Sequence, residues 1–165
     1  MKRIIYIVFI FLGIINISCH SEVNYVMREN QDIPNMQWIF SEKPSFNIDI
    51  QDTTENYILG FCIRYNNDYP DANIYLFVHT QFPEGEKSID TLSIDLFYPD
   101  GTPTGSGKYI KELNVNVSQV RFPQIGRYIL DIEQASRRDT LQGIAAVGVY
   151  LLSDSKNEGY GKEEK

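Results

Sequence analysis

The residues best suited to covalent chemistry stand near the amino terminus, around one cysteine. A basic pair, Lys2 and Arg3, precedes an apolar stretch over residues 4–15, and Ser18 stands directly before Cys19. This stretch suits the hydrophobic part of an export signal and is too short to cross a bilayer as a helix. A small residue before a cysteine at this point is the pattern at which the thiol accepts diacylglycerol and the signal is removed. The sequence therefore predicts export, with acyl chains on Cys19 that hold the protein at a membrane.

Other groups capable of catalysis are few. His20 stands beside the predicted lipid, His79 ends a strand-like segment, and no Gly-x-Ser-x-Gly motif accompanies either. Cys62 stands in the middle of an apolar segment, where a free cysteine is usually a buried small hydrophobe. With these residues we expect neither a metal site nor a cofactor, and we predict that the protein is not an enzyme. A hydrolase that uses His79 is the catalytic alternative.

A polar turn in the middle of the chain is a candidate contact site. It has the sequence Asp68-Tyr69-Pro70-Asp71 and follows Arg64 at the end of a predicted strand. Because binding groups often lie on loops carried by a rigid scaffold, this turn is one candidate for contact with a partner. The other interpretation is a stabilised turn in which Arg64 pairs with Asp68 and the proline fixes the backbone.

Two adjacent arginines, Arg137 and Arg138, form a second candidate site in an acidic protein. They are suited to pairing with carboxylates, either those of a partner or those of this domain. The sequence leaves both alternatives open.

Aromatic residues suggest one further function. Sandwich proteins that bind glycans use exposed aromatic rings as stacking platforms, and Trp38, Tyr65, Tyr69 and Tyr75 are candidates. Aromatic residues at alternating strand positions are more often part of the core. Glycan binding at the cell envelope is therefore kept as the alternative function.

The charge of the chain limits its partners. The 165 residues carry a formal net charge of −7, and loss of Lys2 and Arg3 with the signal changes it to −9. An acidic surface repels phosphate backbones, so nucleic acid is not an expected partner. The chain has no cluster of basic residues that would bind a membrane surface, so membrane contact must come from the lipid.

The elements that would position these residues are short strands. Apolar residues alternate with polar ones over 45–50, 57–65, 74–78 and 88–98, and again from residue 113 to the end of the domain, with turn residues between the segments. Eight or nine strands are expected, with a short helical turn within 133–142. This pattern is typical of an all-β protein with a single β-sandwich. A jelly-roll topology is the first choice, an immunoglobulin-like one the second, and a closed barrel is possible.

The same pattern divides the chain into four parts. We predict a signal peptide over 1–18 and a lipid anchor with an N-terminal linker over 19–37. The β-sandwich domain follows over 38–153, and a flexible charged tail over 154–165 ends the chain.

Several segments, taken in order, resemble one known family. They are Trp38, Asp52-Thr53, Arg64-Tyr-Asn-Asn-Asp-Tyr-Pro-Asp-Ala-Asn73, Asp90-Thr-Leu92, Pro99-Asp-Gly101, Gly105-Ser-Gly107, Gly126-Arg-Tyr128, Gln134-Ala-Ser-Arg137, Leu141-Gln-Gly-Ile144 and Val147-Gly148. Their order and spacing are similar to those of the GldH family of gliding-motility lipoproteins of the Bacteroidetes. Ser136 stands where methionine is expected, and Tyr150 where a basic residue is common.

The resemblance implies a non-enzymatic accessory lipoprotein of the gliding apparatus, a system linked to type IX secretion. It would act by protein–protein interaction with other gliding or secretion proteins of the cell envelope. In similar lipoproteins a run of acidic residues just after the acylated cysteine marks export to the cell surface. The segment His20-Ser-Glu-Val23 contains no such run, which favours a periplasm-facing location.

Overall fold

The computed structural model describes residue 23 and residues 25–154. It contains ten strands and one short 3-10 turn, Pro34–Met36. The strands are β1 Tyr25–Asp32, β2 Gln37–Ile39, β3 Ser45–Ile50, β4 Tyr57–Tyr65, β5 Asn73–Gln81, β6 Lys87–Asp95, β7 Lys111–Val120, β8 Gly126–Gln134, β9 Thr140–Gln142 and β10 Ile144–Ser153. The predicted signal peptide, Cys19 and the tail beyond residue 154 lie outside the described residues.

The strands pair as one long nested hairpin. The first pairs with the last and so on inward, giving β1–β10, β2–β9, β3–β8, β4–β7 and β5–β6, all antiparallel. This hairpin is rolled into two four-stranded sheets, β1-β10-β4-β7 and β3-β8-β5-β6, beside the small β2–β9 sheet. A nested hairpin rolled over two facing sheets is the jelly roll. The prediction of an all-β sandwich is confirmed, and so is the jelly-roll topology.

The hydrophobic core lies between the two large sheets. The alternation in β3 buries Phe46, Ile48 and Ile50, and the same alternation in β5 buries Ile74 and Leu76. Each such side chain contributes about 1.5–3 kcal/mol by leaving water. The outward residues of β5 are therefore held in a fixed row on the opposite face of the sheet.

One domain boundary was wrong. Residues 19–37 were predicted to be an anchor and linker, but Tyr25–Asp32 form strand β1 and pair with β10 along its whole length. The strand is at a sheet edge and most of its side chains are exposed or partly exposed. Such a strand is held by backbone hydrogen bonds and needs no alternating apolar residues. The pattern on which the prediction relied was therefore absent, and the sandwich begins thirteen residues before 38, at Tyr25.

The predicted helical turn over 133–142 was also wrong. Glu133 and Gln134 complete β8, and Thr140–Gln142 form β9. Between them, the Gln134 side chain binds backbone groups of the loop and so replaces the hydrogen bonds that a helix would make.

Candidate functional site

Two loops meet at one end of the sandwich and form a depression of about 450 Å³. The first loop, residues 66–72, joins β4 to β5, and the second, residues 135–139, joins β8 to β9. The depression is lined by Tyr69, Asp71, Asn73, Tyr75, Ala135, Ser136, Arg137, Arg138 and Leu141. Five of the residues singled out from the sequence therefore lie together: Tyr69, Asp71, Tyr75, Arg137 and Arg138.

The first loop is fixed by its own polar side chains. The Asn66 Oδ1 accepts a hydrogen bond from the Asp68 backbone N–H at 3.0 Å, and its Nδ2 donates to Asp68 Oδ2 at 2.7 Å. Tyr69 is buried, and its hydroxyl donates to the Asn73 carbonyl at 2.9 Å. Burial raises the pKa of Tyr69 well above its usual range, so this ring stays neutral. The loop is a rigid platform that leaves Pro70 exposed at its tip.

The second loop is organised by one buried amide. Gln134 is fully buried, its Nε2 donates to the Arg138 carbonyl at 3.0 Å, and its Oε1 accepts from the Ser136 N–H at 3.1 Å. The Ser136 Oγ in turn accepts a hydrogen bond from the Arg138 N–H at 2.8 Å. These bonds explain why a glutamine stands ahead of the two arginines.

An ion pair joins the loops. Both terminal nitrogens of Arg138 donate to the Asp71 carboxylate, in the two-pronged geometry that arginine favours. Hydrogen bonding to Asp71 raises the pKa of Arg138. Of the two alternatives for Arg138, the structure therefore has it paired with an acid of its own domain.

Arg137 differs from its neighbour. It is exposed on the wall of the depression and makes no hydrogen bond or ion pair with any residue that the structure describes. A guanidinium in this position can accept a carboxylate from outside the domain.

Arg64 does not join this site. The predicted pair with Asp68 is wrong, because the Arg64 Nε donates to Glu112 Oε2 of β7 at 2.8 Å instead. Arg64 alternates with core residues of β4, so its side chain projects from the outer face of the sheet, away from the turn that follows.

Two exposed aromatic rings beside the depression extend the candidate site. Tyr75 and Phe77, two residues apart on β5, are 51% and 36% exposed and share the outer face of the sheet. The alternation of β5 in the sequence was a sufficient signal for both positions. Tyr75 was among the predicted candidates, and Phe77 was not.

A charged cluster adjoins Phe77 on the same face. Glu133 is directly opposite Phe77 in the β5–β8 register. Its Oε2 lies 2.7 Å from Lys43 Nζ and 2.6 Å from His79 Nε2. The carboxylate lies between these two groups, an arrangement that stabilises charge. Among the described residues, no group of three or more histidine, cysteine or acidic side chains is placed to hold a metal ion.

Most of the aromatic residues proposed to stack on glycans are unsuitable. Trp38 and Tyr65 are fully buried and Tyr69 is nearly so. The Trp38 Nε1 donates to the Glu42 carbonyl at 2.8 Å, and the Tyr65 hydroxyl donates to the Leu96 carbonyl. These rings belong to the core because each has an internal partner for its polar atom. Of the four residues, Tyr75 is the exposed one.

The fold and the family assign the protein to a class and then to a group within it. The described residues form a jelly-roll sandwich, which sets the class of the domain, and no helix within residues 25–154 is long and apolar enough to cross a membrane. The family model for the GldH lipoprotein matches residues 25–151. The chain belongs to the GldH lipoprotein family. It is therefore a gliding motility lipoprotein, a membrane-anchored protein of the cell envelope.

Two curated relatives have the same family name. A gliding motility lipoprotein GldH homolog of Christiangramia forsetii is 32% identical over 159 residues, 91% of this chain and 96% of that protein. The gliding motility lipoprotein GldH of Flavobacterium johnsoniae is 34% identical over 120 residues, 67% of this chain and 74% of that protein.

Two solved structures resemble the sandwich. CBM35 from Cellvibrio japonicus Abf62 has a TM-score of 0.36 and 15% identity, covering 81% of this chain and 93% of that one. TmCBM61, solved with beta-1,4-galactotriose, has a TM-score of 0.35 and 7% identity, covering 79% of this chain and 91% of that one. At these levels of similarity we draw no conclusion about a ligand.

Proposed function

We propose that this lipoprotein is a non-enzymatic accessory component of the gliding apparatus, linked to type IX secretion, and that it acts by binding another envelope protein. The observation that carries the proposal is the depression where the two loops meet. Family membership supports the connection with motility, and the site supports the mode of action.

The site has the composition of a protein-contact surface. It combines exposed aromatic rings, Tyr75 and Phe77, with the guanidinium of Arg137, which has no partner among the described residues. Aromatic residues and arginine are the types that contribute most at protein interfaces. The supporting loops are held by internal hydrogen bonds, so little conformational freedom is lost on binding. The expected partner presents a carboxylate to Arg137 and an apolar side chain to Tyr75.

The test is a rescue experiment. The gene is deleted and replaced by the wild type, by the double variant Tyr75→Ala and Arg137→Ala, or by Tyr98→Ala. Tyr98 is a matched control because it is 55% exposed, close to the 51% of Tyr75, and lies outside the depression. We expect the double variant to lose colony spreading and secretion of type IX cargo together, and Tyr98→Ala to keep both. Normal spreading and secretion by the double variant, at wild-type protein levels, would contradict the proposal.

A crosslinking experiment tests the mode of action directly. A photo-crosslinking residue at position 137 in live cells should form an adduct with one envelope protein, and the same residue at position 98 should not. Absence of any envelope protein from the adducts at position 137 would count against protein binding.

We further propose that Cys19 carries the lipid and that the domain faces the periplasm. The signal pattern before Cys19 supports the first part, and the absence of an acidic run after it supports the second. Cys19→Ala should move the protein from the membrane to the soluble fraction and fail to rescue motility. Protease added to intact cells should leave the wild-type protein whole. Digestion there would place the domain on the cell surface.

Glycan binding remains the second candidate. The exposed rings of Tyr75 and Phe77, two residues apart on the outer face of β5, favour it. Binding to a glycan array that disappears in both Tyr75→Ala and Phe77→Ala, and persists in Tyr98→Ala, would support this alternative over protein binding.

A further inference from the structure

The free edge of strand β7 differs from the other three edges of the sandwich. β1 carries Arg28, Glu29 and Asp32, β3 is short and carries Asp49, and β6 carries three charges, Lys87, Asp90 and Asp95. In β7 the charged residues Lys111 and Glu112 come first, and the eight residues from 113 to 120 have no charge, no proline and no glycine. Charges and proline are the usual devices that prevent a sheet edge from pairing with another chain. Residues 113–120 of β7 have neither, and the strand has one bulge, at Val117, where the register to β4 shifts between Leu59 and Gly60.

The backbone of this edge is available for pairing. Glu112 exchanges two backbone hydrogen bonds with Ser106 on the free side, at 2.8 and 3.0 Å, which covers the start of the strand. Alternate residues point their backbone groups to the same side, so Asn114 and Asn116 present theirs outward as well. β7 pairs with no strand on that side, and neither residue makes a backbone hydrogen bond with a turn or loop within residues 25–154.

Two side chains of this edge are held by hydrogen bonds to their own sheet. On the outer face, the Asn114 Oδ1 accepts from Arg28 Nη2 at 3.1 Å, and the Asn116 Oδ1 accepts from the Tyr150 hydroxyl at 2.9 Å. The two residues whose backbone groups face outward, Asn114 and Asn116, are thus each tied to a neighbouring strand by a side-chain hydrogen bond.

An apolar cavity of about 440 Å³ lies beside this edge. Its wall includes core residues such as Phe61 and Leu130, together with Val117 of β7 and Leu92 of β6, each on an edge strand of its sheet. Val117 is 39% exposed. None of the residues that line this cavity lines the depression at the loops, so the two sites are separate.

One carboxylate stands on the wall of the cavity. Asp90 lies on the core side of β6, since its register partner Val78 faces the core, and its side chain is exposed where it lines the cavity. It makes no hydrogen bond or ion pair with any described residue. The basic side chain that lines the cavity is Arg121, whose Nε donates to the Thr53 carbonyl at 2.9 Å. A molecule bound in the cavity with a positively charged group beside Asp90 would form an ion pair with its carboxylate.

We propose that β7 accepts an extended segment of a partner protein as an additional strand. Alternate apolar side chains of that segment would enter the cavity, and a lysine or arginine among them would pair with Asp90. Strand addition uses main-chain hydrogen bonds for affinity and pockets for alternate side chains for specificity, and β7 with its cavity offers both. The outward backbone N–H and C=O groups of β7 favour a peptide over a lipid, since a peptide backbone can form hydrogen bonds with them and a hydrocarbon chain cannot.

The probe is a synthetic peptide, acetyl-Arg-Thr-Val-Lys-Val-Thr-Val-Thr-amide, which puts one arginine and three valines on one face. It is added to the full lipidated chain in phospholipid nanodiscs, and backbone hydrogen exchange is measured by mass spectrometry. We expect exchange in residues 111–120 to slow at least tenfold. The same peptide with N-methylated backbone nitrogens keeps the side chains but loses the donors, and it should give no protection.

Three variants complete the test. Val117→Lys places a charge on the edge and should weaken peptide binding at least tenfold. Val26→Lys is its matched control, because Val26 is 50% exposed on the β1 edge of the same sheet, and it should leave binding unchanged. Asp90→Asn should weaken binding of the arginine-containing peptide about tenfold. It should leave binding of the same peptide with glutamine in place of arginine unchanged.

Two results would overturn the proposal. One is equal binding of the N-methylated and unmodified peptides, which would show that the backbone edge is not used. The other is protection of the cavity wall by palmitate with no protection of residues 111–120 by the peptide, which would make the cavity a lipid site.

Discussion

Gly143 lies directly against the backbone of Tyr69. A Cβ atom placed on Gly143 would stand 2.4 Å from the Tyr69 nitrogen, and the glycine has a φ of +82°, in the left-handed region. The Gly143 carbonyl also accepts a hydrogen bond from the Asn66 N–H at 2.9 Å. The turn before β10 therefore supports the first loop of the candidate site, and only a residue without a side chain fits there.

Gly143→Ala should consequently destabilise the domain more than an alanine at an unobstructed left-handed glycine. Gly85 is the matched control, with a φ of +90° and no atom within 4 Å of its added Cβ. We expect Gly85→Ala to cost about 1–2 kcal/mol from backbone strain. Gly143→Ala should add roughly 1–3 kcal/mol for the clash. Urea unfolding measures both, and equal midpoints for the two variants would show that the contact with Tyr69 relaxes freely.

Gln134→Ala should destabilise the second loop. The variant leaves the Arg138 carbonyl and the Ser136 N–H without their buried partner, which costs roughly 1–3 kcal/mol. Arg138→Ala should cost less and only at low salt, because the pair with Asp71 is half exposed and screened. Thermal unfolding at low and high salt separates the two effects. A salt-dependent loss of stability in Gln134→Ala, or a larger loss of stability in Arg138→Ala than in Gln134→Ala, would contradict this prediction.

Much of the fold was predictable because it depends on local patterns. The alternation of β3, β4 and β5 places their apolar residues on one face, and the structure buries them there. Strand β1 was not predictable in this way, since its stability comes from pairing with β10, more than a hundred residues later in the chain. The local pattern also fails at Tyr98. This residue continues the alternation of β6 in the sequence, but it is exposed because the strand ends at Asp95.

The candidate site was predictable only in its parts. The turn at 68–71 and the arginine pair were each visible as local composition. Their junction depends on the contact between Asp71 and Arg138, which are 67 residues apart in the chain. Arg64 was assigned to the nearest acid in sequence, whereas its actual partner Glu112 is across the sheet in the β4–β7 register. Register between strands is not encoded in either segment by itself.

The ion-pair cluster on the outer face should make stability depend on acid pH. The hydrogen bond from Lys43 lowers the pKa of Glu133, and the hydrogen bond from His79 acts in the same direction. A carboxyl whose pKa is lower when folded adds stability that is present above its unfolded pKa, about 4.3. This stability is lost as pH falls through the lower, folded value. Glu133→Gln should therefore be less stable than wild type at neutral pH, and the difference should shrink below pH 4.

The control for this prediction is Glu84→Gln, since Glu84 is exposed and should leave the profile unchanged. Free energies of unfolding by urea at intervals from pH 3 to pH 7 give the measurement. A Glu133→Gln profile parallel to that of wild type would mean that the cluster contributes no pH dependence.

Cys62 should behave as an inert part of the sheet. It is 1% exposed, with Gly148 and Asn114 beside it on the neighbouring strands. Burial raises the pKa of its thiol, and the Glu112 carboxylate adds to the effect. Because the thiolate is the reactive form, we expect alkylation by iodoacetamide at pH 8 to be at least tenfold slower in the folded protein than in urea. The protein with Cys62→Ala gives the background rate. Rapid alkylation of the folded protein, with unchanged circular dichroism, would instead identify an accessible thiol that the sheet does not protect.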